Sequence, residues 1–105
     1  MTSICATQQT VEQCLAEWPH TRLSLGGAPD AGSARRQAEA AALRTLGEAM
    51  LVAWYERKTG SGYPDVPECT GKPGWFAYGL GHSASLLIEV GDGDWLFLYA
   101  PLNRN

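Results

Sequence analysis

The sequence lacks the features that mark several classes of protein. It has no run of basic residues longer than two, and its 8 basic residues are outnumbered by 11 acidic ones, giving a net charge of −3. A surface that follows nucleic-acid phosphates needs clustered Lys and Arg. No apolar run approaches the roughly 18 residues of a membrane-spanning helix. We therefore expect neither a nucleic-acid partner nor a membrane partner.

Cysteine is scarce and its pattern carries no signature. The 3 cysteines are odd in number and widely spaced, and no C-x-x-C occurs. The first residues also lack the basic and apolar regions of a secretory signal. We therefore expect a cytoplasmic protein whose cysteines are reduced and buried.

Metal and cofactor motifs are missing as well. The candidate ligands fall into two groups, the first being Cys14, His20, Cys69 and His82 and the second Glu89, Asp92 and Asp94. No pair in the first group has a chelating spacing, and the second group lacks the further acids of a calcium loop. The stretch GLGHSAS has no phosphate-loop lysine. We predict neither a metal nor a cofactor.

Residues 79–87, GLGHSASLL, come within one residue of the G-x-S-x-G pattern that presents a catalytic serine. In hydrolases that serine lies between a strand and a helix, and the acid and histidine follow it in the chain. Here Ser83 is followed by no histidine, and Ser85 stands in place of the second glycine. We expect a turn with local hydrogen bonds instead of a nucleophile.

The composition is that of an ordinary globular protein: of the 105 residues, 45% are apolar and 18% are charged. Such a chain forms one domain, here 1–105. Thr10 and Gln13 form a capping box for a helix over 10–18, and Thr21–Leu25 alternates as a short strand. Helix-forming residues over 33–58, after Ser33 as N-cap and before Gly60 as C-cap, predict one long helix.

A loop and three strands are expected to complete the chain. Residues 59–74 contain four Gly and three Pro and predict a long loop. Strands are predicted over 75–78, 84–90 and 95–100, the last two joined by a turn centred on Asp92-Gly93. The expected fold is α+β, with a short helix, a short strand, and a long helix packed on a C-terminal three-stranded antiparallel meander.

The turn sets a register in which Val90 faces Trp95. One face of this hairpin is strongly apolar and is expected to pack on the long helix. The other face is more apolar than a solvent-exposed face usually is. We expect the surplus apolar residues to bind a partner, because aromatic anchors are favoured at protein interfaces. These expected partner-binding residues are Tyr63, Trp75, Phe76, Tyr78, Leu87, Leu96 and Leu98.

These observations favour a small cytoplasmic, non-enzymatic protein that binds another protein. An inhibitor of a host defence system carried by a phage or mobile element (anti-CRISPR-like), or a toxin-immunity protein, fits that type. Two alternatives stay open. One is a small enzyme or enzyme subunit that uses Cys69 and His82 as a nucleophilic pair, since a reactive thiol needs a lowered pKa and access. The other is a homodimeric accessory protein that pairs through its sheet.

Overall fold

The computed structural model describes residues 10–64, 72–91 and 93–102. Within those residues three helices pack on a mixed five-stranded sheet, which confirms the α+β class. In chain order the elements are α1 (Val11–Glu17), β1 (Thr21–Leu25), α2 (Ala31–Leu46), β2 (Ala49–Glu56), β3 (Ser61–Tyr63), α3 (Gly74–Gly81), β4 (Leu86–Val90) and β5 (Trp95–Pro101). The strand order across the sheet is β1-β4-β5-β2-β3, and β1 runs parallel to β4 while the other neighbours are antiparallel.

The first two elements form where local sequence predicts them. The Gln13 backbone N–H donates to Thr10 Oγ1 at 3.1 Å, and the Thr10 N–H donates to Gln13 Oε1 at 2.8 Å. This reciprocal capping box satisfies amides that the first turn of α1 would otherwise leave unbonded. The predicted strand over Thr21–Leu25 is also confirmed, as β1.

The hairpin register is confirmed. Val90 pairs with Trp95, and the register continues without interruption to Leu86 and Tyr99. Gly93 has φ +90°, a conformation that glycine adopts without a steric penalty, and Asp94 N–H donates to Gly91 O at 3.1 Å to close the turn. Asp92, the other residue of the predicted turn centre, lies outside the described residues.

The prediction of one helix over 33–58 was wrong. The helix α2 begins after Asp30, which caps the Ser33 amide at 2.8 Å, and it ends at Gly47, whose φ is +85°. Glycine in the left-handed region is a common helix terminator. Residues after Gly47 form the strand β2. This segment carries apolar residues on all sides because both faces of the strand are covered.

The strand β2 joins the hairpin to the far edge of the sheet. It pairs with β5 on one side and with the three-residue edge strand β3 on the other. Its register with β5 shifts between Leu51 and Ala53, so that Val52 and Ala53 together oppose Leu98. A bulge of this kind turns two successive side chains toward the same face. Both Val52 and Ala53 accordingly lie in one core cluster.

The strand predicted over 75–78 is also wrong, because those residues form the helix α3. In a strand, Trp75 and Phe76 would point to opposite faces. In α3 the two rings and Gly79 are buried together, which the helical spacing i, i+1, i+4 permits. The predicted loop over 59–74 is shortened at both ends by β3 and α3, and its residues 65–71 lie outside the described part.

The sheet is covered on both faces. On the face that we call the α2 face, Ala34, Ala38, Ala41 and Ala42 lie against the strands. Leu43, on the same helix, is instead 44% exposed. On the face that we call the α1/α3 face, the helices α1 and α3 cover the other side of β4, β5 and β2. Alanine side chains allow a helix to approach a sheet closely.

Replacing Gly79 by Ala should destabilise the fold by about 1–3 kcal/mol, because an added methyl group would overlap Leu98 Cδ1 in a close-packed core. The matched control is Gly81→Ala, since a methyl group there meets open space in the same helix. Urea unfolding monitored by circular dichroism measures both variants. Equal stability of the two variants would contradict the close packing of α3 on β5.

A second prediction concerns Tyr99, which is 1% exposed and whose hydroxyl has no hydrogen-bond partner among the described residues. Burial raises the pKa of Tyr99 to about 12, with a further contribution from the nearby Glu39. The unfolded chain therefore binds fewer protons than the folded protein above pH 10, and stability falls as the pH rises from 10 to 12. The full loss is roughly 2–3 kcal/mol.

Tyr99→Phe should therefore remove that part of the alkaline loss of stability. At neutral pH the variant should be as stable as the wild type or slightly more stable, because it buries no unpaired hydroxyl. Urea unfolding at neutral pH and at successive values above pH 10 provides the measurement. Tyr63→Phe is the control, since Tyr63 is 57% exposed. If both variants keep the wild-type pH dependence, Tyr99 does not titrate as its burial requires.

Candidate functional site

The α2 face of the sheet carries two rows of side chains that cross four strands. One row consists of Ile88, Phe97, Trp54 and Tyr63, and the next consists of Val90, Trp95, Glu56 and Ser61. Directly opposed residues on neighbouring strands have Cβ atoms close enough for their side chains to touch. The pairing of β2 with β5 therefore brings two tryptophans and a phenylalanine together from distant parts of the chain.

The helix α2 covers only part of these rows. Its first turns, at Ala31, Gly32 and Arg35, form one wall of a cleft whose other side is lined by Trp54, Glu56, Trp95 and Phe97. The cleft has a volume of about 250 Å³. Pockets for drug-sized ligands usually measure about 300–1,000 Å³. The cleft is therefore large enough for one bulky side chain or a comparably small ligand.

Tyr63 extends the aromatic surface from the cleft to the edge of the sheet. Its ring stacks on Trp54, with 6.4 Å between the ring centroids and 17° between the planes. The side chain is 57% exposed, the largest exposed fraction among the four exposed large hydrophobic residues of the described chain. An incoming group can therefore contact Tyr63 and the cleft at the same time.

The two charged residues of the cleft, Arg35 and Glu56, do not pair with each other. The ion pairs between described residues are Arg22 with Glu89 and Arg57 with Glu12. Glu56 Oε1 accepts a hydrogen bond from Thr59 Oγ1 at 3.2 Å, so its carboxylate retains acceptor positions. The cleft thus has a positive and a negative group on an otherwise apolar lining.

A second cluster lies on the α1/α3 face and serves the structure. Glu89 is 7% exposed on a central strand. Ser24 Oγ donates to Glu89 Oε1 at 3.1 Å, and Arg22 Nη2 lies 2.8 Å from Oε2. Arg22 Nη1 also donates to Leu15 O at 3.3 Å, at the carboxyl end of α1. A buried carboxylate requires such partners, and here they connect α1 and β1 to the sheet.

Most of the expected partner-binding residues are core residues. Leu87, Leu96 and Leu98 are 0% exposed beneath α1 and α3, so the expectation that they form a partner surface was wrong. The reason is that two helices, not one, cover that face. Phe76 and Trp75 are buried in the same cluster, and Tyr78 is partly buried against it. Of that set, Tyr63 alone is largely exposed.

The pairing of Cys69 with His82 stays a prediction, because only His82 lies within the described residues. His82 ends α3, where its ring stacks on Tyr78 with 3.8 Å between centroids, and its Nδ1 lies 2.9 Å from Tyr78 O. Ser83 lies in the turn from a helix to a strand, the reverse of a nucleophile elbow. Cys69 lies outside the described residues. Burial raises the pKa of the Cys14 thiol to about 11, which makes it unreactive at neutral pH.

The described part of the chain also contains no group of three or more His, Cys, Asp or Glu side chains placed to hold a metal ion. No helix in that part is long and apolar enough to cross a bilayer. The sequence did not predict the cleft, because its pattern over 33–58 predicts a helix at Trp54. Gly47, as a helix-terminating glycine, was the signal that could have placed Trp54 on a strand.

The fold is similar to the crystal structure of AF1514, from Archeoglobus fulgidus DSM 4304, which is described as a novel protein. The TM-score is 0.67 at 22% sequence identity, and the similarity covers 82% of this chain and 99% of that chain. At this identity the similarity concerns the fold alone. No curated protein matches the sequence.

Residues 23–99 match a family described as a domain of unknown function, DUF5619. The matched range contains α2, β2 and β3 whole and β5 as far as Tyr99, and it therefore includes every residue that lines the cleft. The terminal helix α1 and the Arg22 side chain lie outside it. On the extent of this match, the chain belongs to the DUF5619 family.

Proposed function

We propose that this protein acts by binding a segment of another protein, and that the cleft together with Tyr63 is the recognition surface. The observation that carries the proposal is the exposed Tyr63 ring, which stacks on Trp54 beside a cleft of about 250 Å³ that α2 leaves open. Tryptophan and tyrosine dominate the residues that contribute most to binding at protein interfaces.

The lining of the cleft favours binding over catalysis. Among the described residues that lining contains no Cys, His or Ser, and its ionisable groups are one arginine and one carboxylate. Nucleophilic catalysis by a hydroxyl or thiol needs that group beside a base, and the described lining offers no such pair. His82 follows α3 and stacks on Tyr78 of that helix, which covers the other face of the sheet. The enzyme alternative depends on Cys69, which lies outside the described residues.

The shape of the surface favours a protein segment as the ligand. Tyr63 lies on a three-residue edge strand, so the aromatic surface opens at the side of the sheet. A segment that crosses this edge can insert one side chain into the cleft and contact the Tyr63 ring with its neighbour. Aromatic-lined grooves recognise extended segments in this way in several peptide-binding domains.

The biological role that we attach to this proposal is inhibition, either of a host defence system by a phage or mobile element or of a toxin by its immunity protein. Leu87, Leu96 and Leu98 are core residues and do not take part in this role. The cleft and Tyr63 supply the surface for it. A second copy of the chain is the alternative occupant, and the mass in solution at rising concentration would reveal such a homodimer.

The test uses short random peptides displayed on phage and selected on the wild-type protein. Synthetic copies of the enriched peptides should bind Tyr63→Ala about tenfold more weakly than wild type, because a central aromatic anchor contributes about 1.4 kcal/mol or more. Fluorescence anisotropy of the labelled peptides measures the affinity.

The control for that test is Leu43→Ala, which removes an exposed apolar side chain from α2 outside the cleft. It should bind the same peptides as well as the wild type does. Enrichment of no peptide, or an equal loss of affinity in both variants, would overturn the proposal.

A further inference from the structure

We infer that the segment recognised by the cleft carries one apolar side chain between an acidic and a basic residue. This inference rests on the proposed function and specifies the chemistry of its ligand. Its basis is the charge arrangement in the cleft, where Arg35 and Glu56 lie on the same lining without forming an ion pair. A ligand that carries both a negative and a positive group could form an ion pair with each of these two side chains.

The neighbours of these two groups do not neutralise them by direct contact. Glu56 accepts from the Thr59 hydroxyl, and the adjacent Arg57 is engaged by Glu12 at 2.7 Å. Lys58 is exposed on the following turn. Arg35 lies one helical turn before Glu39, and both charges affect the pKa of Tyr99. Among the described residues these two side chains form no ion pair with each other.

The positions of the two charges come from elements that the fold holds apart. Arg35 extends from the first turns of α2, and Glu56 lies at the end of β2, opposite Trp95 in the sheet. The aromatic residues Trp54, Trp95 and Phe97 line the same cleft as the two charges. A bound apolar side chain would contact these rings, while its acidic neighbour meets Arg35 and its basic neighbour meets Glu56.

Each of these ion pairs should raise affinity by a few-fold. Glu56 is partly buried and Arg35 is exposed, and exposed ion pairs are weak because water screens them. The measured range for such pairs corresponds to about 1.4- to fivefold in affinity each. The preference should weaken as the salt concentration rises.

The experiment uses acetylated and amidated pentapeptides with a central Phe, so that the tryptophans of the cleft report binding by their fluorescence. The mixed-charge probes are Gly-Glu-Phe-Lys-Gly and Gly-Lys-Phe-Glu-Gly, which present the charges in both orders. The reference probes replace both charged residues by Gln, by Glu or by Lys. At least one mixed-charge peptide should bind wild type about two- to 25-fold more tightly than the Gln peptide, since two pairs contribute.

Two variants assign the preference to its residues. Arg35→Gln should remove the gain in affinity that the peptide's Glu provides. Glu56→Gln should remove the gain in affinity that the peptide's Lys provides. Arg36→Gln and Glu48→Gln are the matched controls, because neither residue lines the cleft and both are exposed. Both controls should keep the wild-type preference.

The outcomes separate this inference from the function on which it rests. If the Gln peptide binds as tightly as the mixed-charge peptides and Tyr63→Ala weakens all of them, the charge inference is overturned and the binding site stands. A preference that survives both Arg35→Gln and Glu56→Gln also overturns the inference. If no pentapeptide binds and the displayed-peptide selection also fails, the proposed function falls and the inference falls with it.

Discussion

The constraint on which the structure depends is that the central hairpin β4–β5 is apolar on both faces. Nearly every residue of the two strands is buried. Such a hairpin cannot leave either face to water, because the buried apolar area is the main favourable contribution to folding. One face needs α2 and the other needs α1 and α3. The three-layer arrangement follows from this need for cover on both sides.

The two faces are covered in different ways. The helix α2 presents small side chains, so it approaches the sheet closely and leaves the large residues to the strands. The helices α1 and α3 instead contribute rings, including Trp18, Trp75 and Phe76, which fill the space over the leucines. Close approach at Gly79 allows α3 to lie directly on Leu98. The polar contact that accompanies this packing is the buried Glu89, held by Arg22 and Ser24.

The candidate site arises where this cover ends. The hairpin supplies Trp95 and Phe97, but the strand β2 beside it brings Trp54, and β3 brings Tyr63. A single helix of 16 residues lies over this face, and its first turns do not close over all of these rings. Part of this aromatic surface is thus left open as the cleft, with one positive and one negative residue on its lining.

Local sequence was sufficient where a single interaction decides the structure. The capping box at Thr10 and Gln13 determines where α1 begins, and the turn near Gly93 determines the register of β4 with β5. Both depend on contacts within a few residues. Local sequence was insufficient for 49–58 and 75–78. Met50 and Trp54 are four residues apart, a spacing typical of one side of a helix. The bulge at Val52 and Ala53, which the local sequence does not indicate, puts them on opposite faces of β2.

The sequence by itself therefore determined the fold class, the beginning of α1, the strand β1 and the hairpin that forms the centre of the sheet. The tertiary structure alone decided that β2 joins β5, that the aromatic segment before His82 is a helix, and that Leu87, Leu96 and Leu98 are internal. The physical reason is that propensity contributes only tenths of a kcal/mol per residue, up to about 1 kcal/mol. Burial of a whole apolar face contributes far more and overrides it.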